Sequence, residues 1–168
     1  NDPVSLITAP SEVRDQTIKL VEECFADGDA PLRPVIHLYG RPGTGKRSLA
    51  AYASRRIGLP LLIANVKRMP ADLNGPEAFW RLGRESMLLP AVLLIENFDS
   101  LSVENRSPEL ASLLAAVESF SPLTFFSGSQ RWIPDTPPQL FLSLVCPAPN
   151  STSRMNYWRK HLQEVGFD

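Results

Sequence analysis

The chain has 168 residues, 43% of them hydrophobic, with 17 basic residues against 18 acidic ones and a formal net charge of -1. This length and apolar content suit one compact domain, and the balanced charge gives no electrostatic reason to expect nucleic acid or an anionic membrane as partner. No apolar run approaches the roughly 20 residues that span a bilayer, and the start NDPVSL lacks a basic stretch followed by an apolar one.

After a short irregular start, Ser11 is expected to cap a helix running to about Phe25, with Ile18, Val21 and Phe25 on one face at spacings of three and four. A loop from Ala26 to Arg33 leads into Val35 to Tyr39, a short apolar run followed at once by glycine, which reads as a buried strand entering a tight turn. Lys46 to Ile57 follows as a helix. The alternation continues with strand Leu61 to Asn65, helix Pro76 to Leu88, strand Ala91 to Ile95, helix Pro108 to Phe120 and strands Leu123 to Ser127 and Leu140 to Val145. Apolar strands separated by amphipathic helices predict a three-layer α/β/α sandwich around a central, mostly parallel five-stranded sheet with right-handed crossovers. A last helix, about Ser151 to Glu164, carries Tyr157, Trp158 and Leu162, and the chain stops soon after, as expected of a piece cut from a longer protein.

The turn after the first strand reads GRPGTGKRS, Gly40 to Ser48. Gly40, Gly43 and Gly45 leave room for successive backbone N–H groups to turn inward around a phosphate, and Lys46 adds a positive charge. A strand before and a helix after also bring the helix N-terminus, with its unpaired N–H groups, to that phosphate. Arg41, Pro42 and Thr44 complete the loop. A glycine-rich turn without ligand is the alternative, and the two flanking elements weigh against it. Position 47 departs from the P-loop pattern, which places Ser or Thr there to put a hydroxyl on Mg²⁺; this chain has Arg47. Ser48 follows one residue late, about 100° further round the helix. Arg47 can instead bring a guanidinium near the phosphates, which opens the option of nucleotide binding without magnesium.

A P-loop enzyme also needs an acid at the end of a neighbouring buried strand, and usually a second group to activate water. In AVLLIENFDS the expected strand 91–95 is followed by Glu96 and Asn97. Glu96 can serve a metal through water. Asn97 can hold a water but cannot take its proton, so slow or absent turnover is expected. Asp99, two residues on, reads as a loop carboxylate capping the next segment or as a displaced base.

These segments resemble the AAA+ ATPase family, whose P-loop commonly reads GPPGTGKT. LPLLIAN is similar to the family's next strand, LLIENFD to its Walker B segment (91–97), LTFFSGSQ to its sensor-1 strand, and LFLSLVCPAPNSTSRMNYWRKHL to its approach to the lid, with Pro147 and Arg154 in the matching layout. The resemblance implies ATP or ADP as ligand, with magnesium in doubt. It also implies that Ser127 or Ser129 stands near sensor 1 in place of the usual Asn. The only arginine in the stretch that normally holds the arginine finger is Arg131, which reads as a surface residue beside Trp132. The helical lid is not expected within these residues. The departures at Arg47 and Asn97 resemble the first module of bacterial tandem AAA+ ATPases, including those encoded with contractile injection systems, in which a second module keeps its motifs.

The implied partners are other AAA+ modules of the same chain or of a ring, with a protein substrate possible in principle and no sign of nucleic acid or membrane. Cys24 and Cys146 lie far apart and outside any metal spacing, so reduced, mostly buried thiols and a cytoplasmic setting are expected. His37 and His161 read as structural, and Trp80, Trp132 and Trp158 as core or interface anchors. Three readings follow: a nucleotide-binding module with little or no hydrolysis in a regulatory or architectural role; a docking module that binds no nucleotide; and an active ATPase using Ser48 and Asp99.

Overall fold

A computed structural model of the chain describes residues 9–26, 33–69, 76–102 and 108–165. The expected loop 26–33 lies mostly outside them, as do the side chains of Tyr157 and His161. In chain order the elements are α1 (Ser11–Ala26), β1 (Val35–Tyr39), α2 (Lys46–Arg56), β2 (Leu61–Asn65), a 3-10 turn (Val66–Arg68), α3 (Pro76–Leu88), β3 (Val92–Glu96), α4 (Asp99–Ser102), α5 (Pro108–Phe120), β4 (Thr124–Gly128), β5 (Phe141–Val145) and α6 (Ser151–Val165).

All five strands are parallel and lie in the order β2-β3-β4-β1-β5. Strand side chains alternate between faces, so β1 sends Ile36 and Leu38 to one side and Val35 to the other. The first face packs under α1 and α2, through Val13, Val21, Leu49, Ala50 and Ala53. The second packs under α3 and α5, through Phe79, Leu110, Leu113, Ala116 and Val117. The molecule is thus the three-layer α/β/α sandwich expected, with a sheet that is parallel throughout.

Two local differences from expectation have physical causes. Ser11 is the first residue of α1 rather than a residue ahead of it, and the carbonyl of Pro10 accepts the N–H of Arg14 at 3.0 Å. Strands β3 and β4 each begin and end one residue later than their apolar runs, because the parallel ladder continues past the last apolar side chain: Glu96 pairs in register with Asn65 on one side and Ser127 on the other. Cys146 is buried as expected, whereas Cys24 is only half-buried; both are free thiols.

Trp132 is a core residue, 6% exposed, in a cluster with His37, Phe98, Phe126 and Phe141. Trp80 leans edge-on against Phe120 at 5.6 Å. Trp158 is 62% exposed on α6 and anchors no core among the described residues.

His37 is fully buried on β1, with Nδ1 3.1 Å from Ser143 Oγ and its ring against Tyr39, Phe98 and Trp132. Burial lowers its pKa to about 4, with Asp99 pulling weakly the other way. Well above pH 6.5 the ring is neutral whether the chain is folded or not. Between about pH 6.5 and 4 the unfolded chain binds a proton that the folded one refuses, so stability falls with pH, by about 3 kcal/mol in all. Urea melts at pH 7 and pH 4.5 should show this loss, and His37→Leu should make it smaller.

Candidate functional site

In this sheet the C-terminal ends of all five strands open on one edge, the position where α/β sheets bind ligands, and the β1 turn stands next to the point where strand order reverses. Four of the predicted segments meet there: Gly40–Ser48 after β1, Glu96 and Asn97 at the end of β3, Ser127 to Ser129 at the end of β4, and Cys146 after β5.

The loop begins where β1 is held from both sides. Gly40 donates its N–H to the carbonyl of Gly128 at 3.1 Å, and Cys146 donates to the carbonyl of Tyr39 at 2.6 Å. Gly40 has φ +144°, and a methyl group there would collide with the backbone carbonyl of Cys146. Gly43 and Gly45 are also in the left-handed region, at +80° and +84°, where another residue would cost roughly 1–2 kcal/mol. The chain therefore curls tightly enough to present successive N–H groups to the space above the loop. Helix α2 starts directly after Gly45, which supplies no side-chain cap, and its first turn contains no acid but opens on Lys46 and Arg47. A first turn normally favours acids, which complement the helix dipole; two cations there raise the positive potential that an anion would neutralise.

Lys46 curls back over its own loop. Its Nζ donates to the carbonyls of Gly40 at 2.7 Å and Arg41 at 2.9 Å and to Thr44 Oγ1 at 3.3 Å. Burial lowers its pKa from the usual lysine value, while Cys146 and Asp99 act to raise it. The Cys146 thiol is pushed up to about 11 by burial, against the pull of Lys46, and stays neutral at physiological pH. Thr44, almost fully buried, donates its hydroxyl to the Arg41 carbonyl at 3.0 Å and stiffens the loop. Arg41, Pro42 and Gly43 are exposed at the mouth. This cradle fits a phosphate: glycines that leave the N–H groups clear, a helix start without a cap, and an ammonium within the loop.

The residues do not fit Mg²⁺ in the same way. Arg47 stands where a hydroxyl would be needed, and its Nε lies 3.7 Å from Glu96 Oε1. The carboxylate foreseen as serving a metal through water thus faces a cation, and its side chain is only 19% exposed. Ser48, half-buried, is the next residue of α2 and points about 100° away round the axis.

Asn97 adopts φ +57°, a conformation that Asn tolerates better than most residues. Its Nδ2 donates to Asn65 Oδ1 at 2.9 Å, and the same oxygen accepts the N–H of Lys67 at 3.1 Å. The Lys67 bond fixes Asn65 with its oxygen inward, so Asn97 must present its amide nitrogen to it. Asn97 donates to Asn65 at the end of β2, and its amide is not basic enough to take a proton from water.

Asp99 holds the β4 turn instead of standing free beside the loop. Its Oδ2 accepts from the N–H and hydroxyl of Ser129, at 2.6 and 2.9 Å, and its Oδ1 from the N–H of Gln130 at 3.3 Å. Gly128 makes this possible, because a side chain there would displace the carboxylate. Ser129 is therefore positioned by Asp99. Ser127, 8% exposed, lies in β4 in register with Glu96 and Leu38. Arg131 and Arg154 are exposed and join none of these groups.

Asn65 was not singled out in the sequence, although a polar residue ending an apolar strand at this edge of a parallel sheet is a detectable signal. The aromatic brace was also missed: Phe98, just after Asn97, stacks on Phe126 at 4.4 Å and meets Trp132 at 4.7 Å, pinning the β3 and β4 turns together. Among the described residues no three His, Cys, Asp or Glu side chains are grouped to hold a metal, and no helix is long and apolar enough to cross a membrane.

Comparison with known families finds a match to the model described as "ATPase family associated with various cellular activities (AAA)" over residues 36–144, more than half of the chain. The match runs from β1 into β5 and takes in the loop, the β3 end and the β4 end. No curated protein was found to match the chain.

Proposed function

Because the chain belongs to the ATPase family associated with various cellular activities (AAA), it is an AAA+ nucleotide-binding module, and we propose that it holds adenine nucleotide while hydrolysing it slowly or not at all. The observation that carries this reading is the pairing of Arg47 with Glu96 beside an otherwise complete phosphate cradle. The cradle supports binding. The pair, together with Asn97 tied to Asn65, argues against turnover, since Asn97 cannot take a proton from water and the Glu96 carboxylate beside it faces Arg47.

The role that follows is regulatory or architectural. AAA domains commonly assemble into rings, and the partners proposed are other AAA+ modules. In such an assembly a site that retains its nucleotide acts as a fixed structural element between subunits.

Two neighbouring readings fare less well. A docking module without nucleotide would be favoured by a guanidinium folded into the loop, whereas Arg47 is 64% exposed and leans toward Glu96, beside the loop. An active enzyme relying on Asp99 as base would need that carboxylate free, and it accepts three hydrogen bonds from Ser129 and Gln130. Isothermal titration with ATP tests the binding claim: saturable heat and a rise in melting temperature are expected. Absence of both at millimolar nucleotide would contradict it.

A further inference from the structure

We propose that the Arg47–Glu96 pair is a built-in counter-ion standing where a divalent metal would stand, so that the loop takes the polyphosphate of a nucleotide free of metal and gains no affinity from Mg²⁺. This rests on the nucleotide-binding reading above and specifies the ionic form of the ligand.

Three observations carry it. Arg47 is the second residue of α2, directly after Lys46, so its backbone places it at the rim of the phosphate cradle. Its Nε lies 3.7 Å from Glu96 Oε1, which joins the start of α2 to the end of β3 across the intervening end of β4. Its side chain remains 64% exposed, so the planar fork that faces Glu96 on one side has donors left for a second anion.

A metal in this place would meet two obstacles. The guanidinium's positive charge repels a dication, and it stands beside the carboxylate that would otherwise hold the metal's water shell. The same features favour a bare polyphosphate. Lys46 and Arg47 supply two adjacent positive charges at a helix N-terminus, and Arg pairs with phosphate oxygens through parallel N–H donors. Glu96 keeps the guanidinium oriented and prevents it from collapsing into the loop before a ligand arrives. Complexing the nucleotide with Mg²⁺ removes negative charge from the phosphates and so weakens the contact with both cations.

The test is titration of the full chain with ATP in excess EDTA and in excess Mg²⁺, on the wild type and on Arg47→Thr. The wild type should bind at least as tightly in EDTA as in Mg²⁺. Arg47→Thr restores the hydroxyl and releases Glu96. It should lose affinity for metal-free ATP by roughly tenfold or more, the worth of one charge-assisted contact, and should recover on adding Mg²⁺. Arg47→Lys keeps the charge and should stay independent of metal, which serves as the check if the threonine variant fails to fold. Wild-type affinity that rises tenfold on adding Mg²⁺ would overturn the inference and leave the nucleotide reading intact. No binding by the wild type in either buffer would overturn both.

Discussion

Lys46→Ala should lower the affinity for ATP by roughly ten- to a hundredfold, the largest loss expected from any single change at the cradle. In the structure the ammonium lies over the loop, on the carbonyls of Gly40 and Arg41 and on Thr44 Oγ1. Those acceptors hold it where a phosphate oxygen would take over, and the move exchanges neutral acceptors for a charged one. Its partial burial makes the charge costly to hold without an anion, as the lowered pKa reflects. Phosphate binding relieves that cost, so much of the binding energy should pass through this one side chain. Lys46→Met, which keeps the apolar stem, should behave like the alanine variant. Titration calorimetry beside a melting curve separates the two contributions: lost heat with an unchanged melting temperature assigns the effect to the charge, whereas a matching drop in stability would assign it to the loop.

The second large effect concerns stability. Phe98 is fully buried, stacked on Phe126 and edge-on to Trp132, and the residues on either side of it are Asn97 and Asp99. Phe98→Ala should destabilise the fold by about 3–5 kcal/mol, a large share of the roughly 5–15 kcal/mol that holds a typical domain. Urea denaturation measures this directly. The damage should also reach the ligand site. With the ring gone, the turn carrying Asn97 loses its anchor to the β4 side, and Asp99 loses the geometry that fixes Ser129 and Gln130. Nucleotide affinity should therefore fall even in buffer where the variant remains folded. Trp80→Ala, at a partly exposed ring set edge-on against Phe120 of α5, should leave affinity unchanged.

The sequence made the cradle legible because its requirements are local. Glycines that must take positive φ, a lysine at a helix start and an apolar strand before them all fall within a dozen consecutive residues, and each has one physical reason to be there. The sheet was legible for a similar reason: short apolar runs such as VIHLY and AVLLI, bounded by turn residues and alternating with amphipathic helices, read as buried strands. The contacts that decide what the site does are non-local. Arg47 and Glu96 are 49 positions apart (96 − 47), and only the strand order brings β3 close enough to α2 for the two charges to meet. Asp99 illustrates the same limit. As a residue two past Asn97 it resembles a spare base or a cap, and its real engagement with Ser129 depends on the β4 turn and on Gly128 having no side chain. Asn65 is marked in the sequence only as the polar end of an apolar strand, and its tie to Asn97 exists only because β3 lies beside β2 in the sheet.

On the function proposed above, nucleotide is held here more than it is turned over. The most direct measurement is phosphate release from ATP by the full chain, with Mg²⁺ present, in the same sample in which saturation has been established by titration. The account predicts a saturated site and ATP recovered intact after prolonged incubation. Steady release of phosphate that scales with protein and disappears in Lys46→Ala would contradict it.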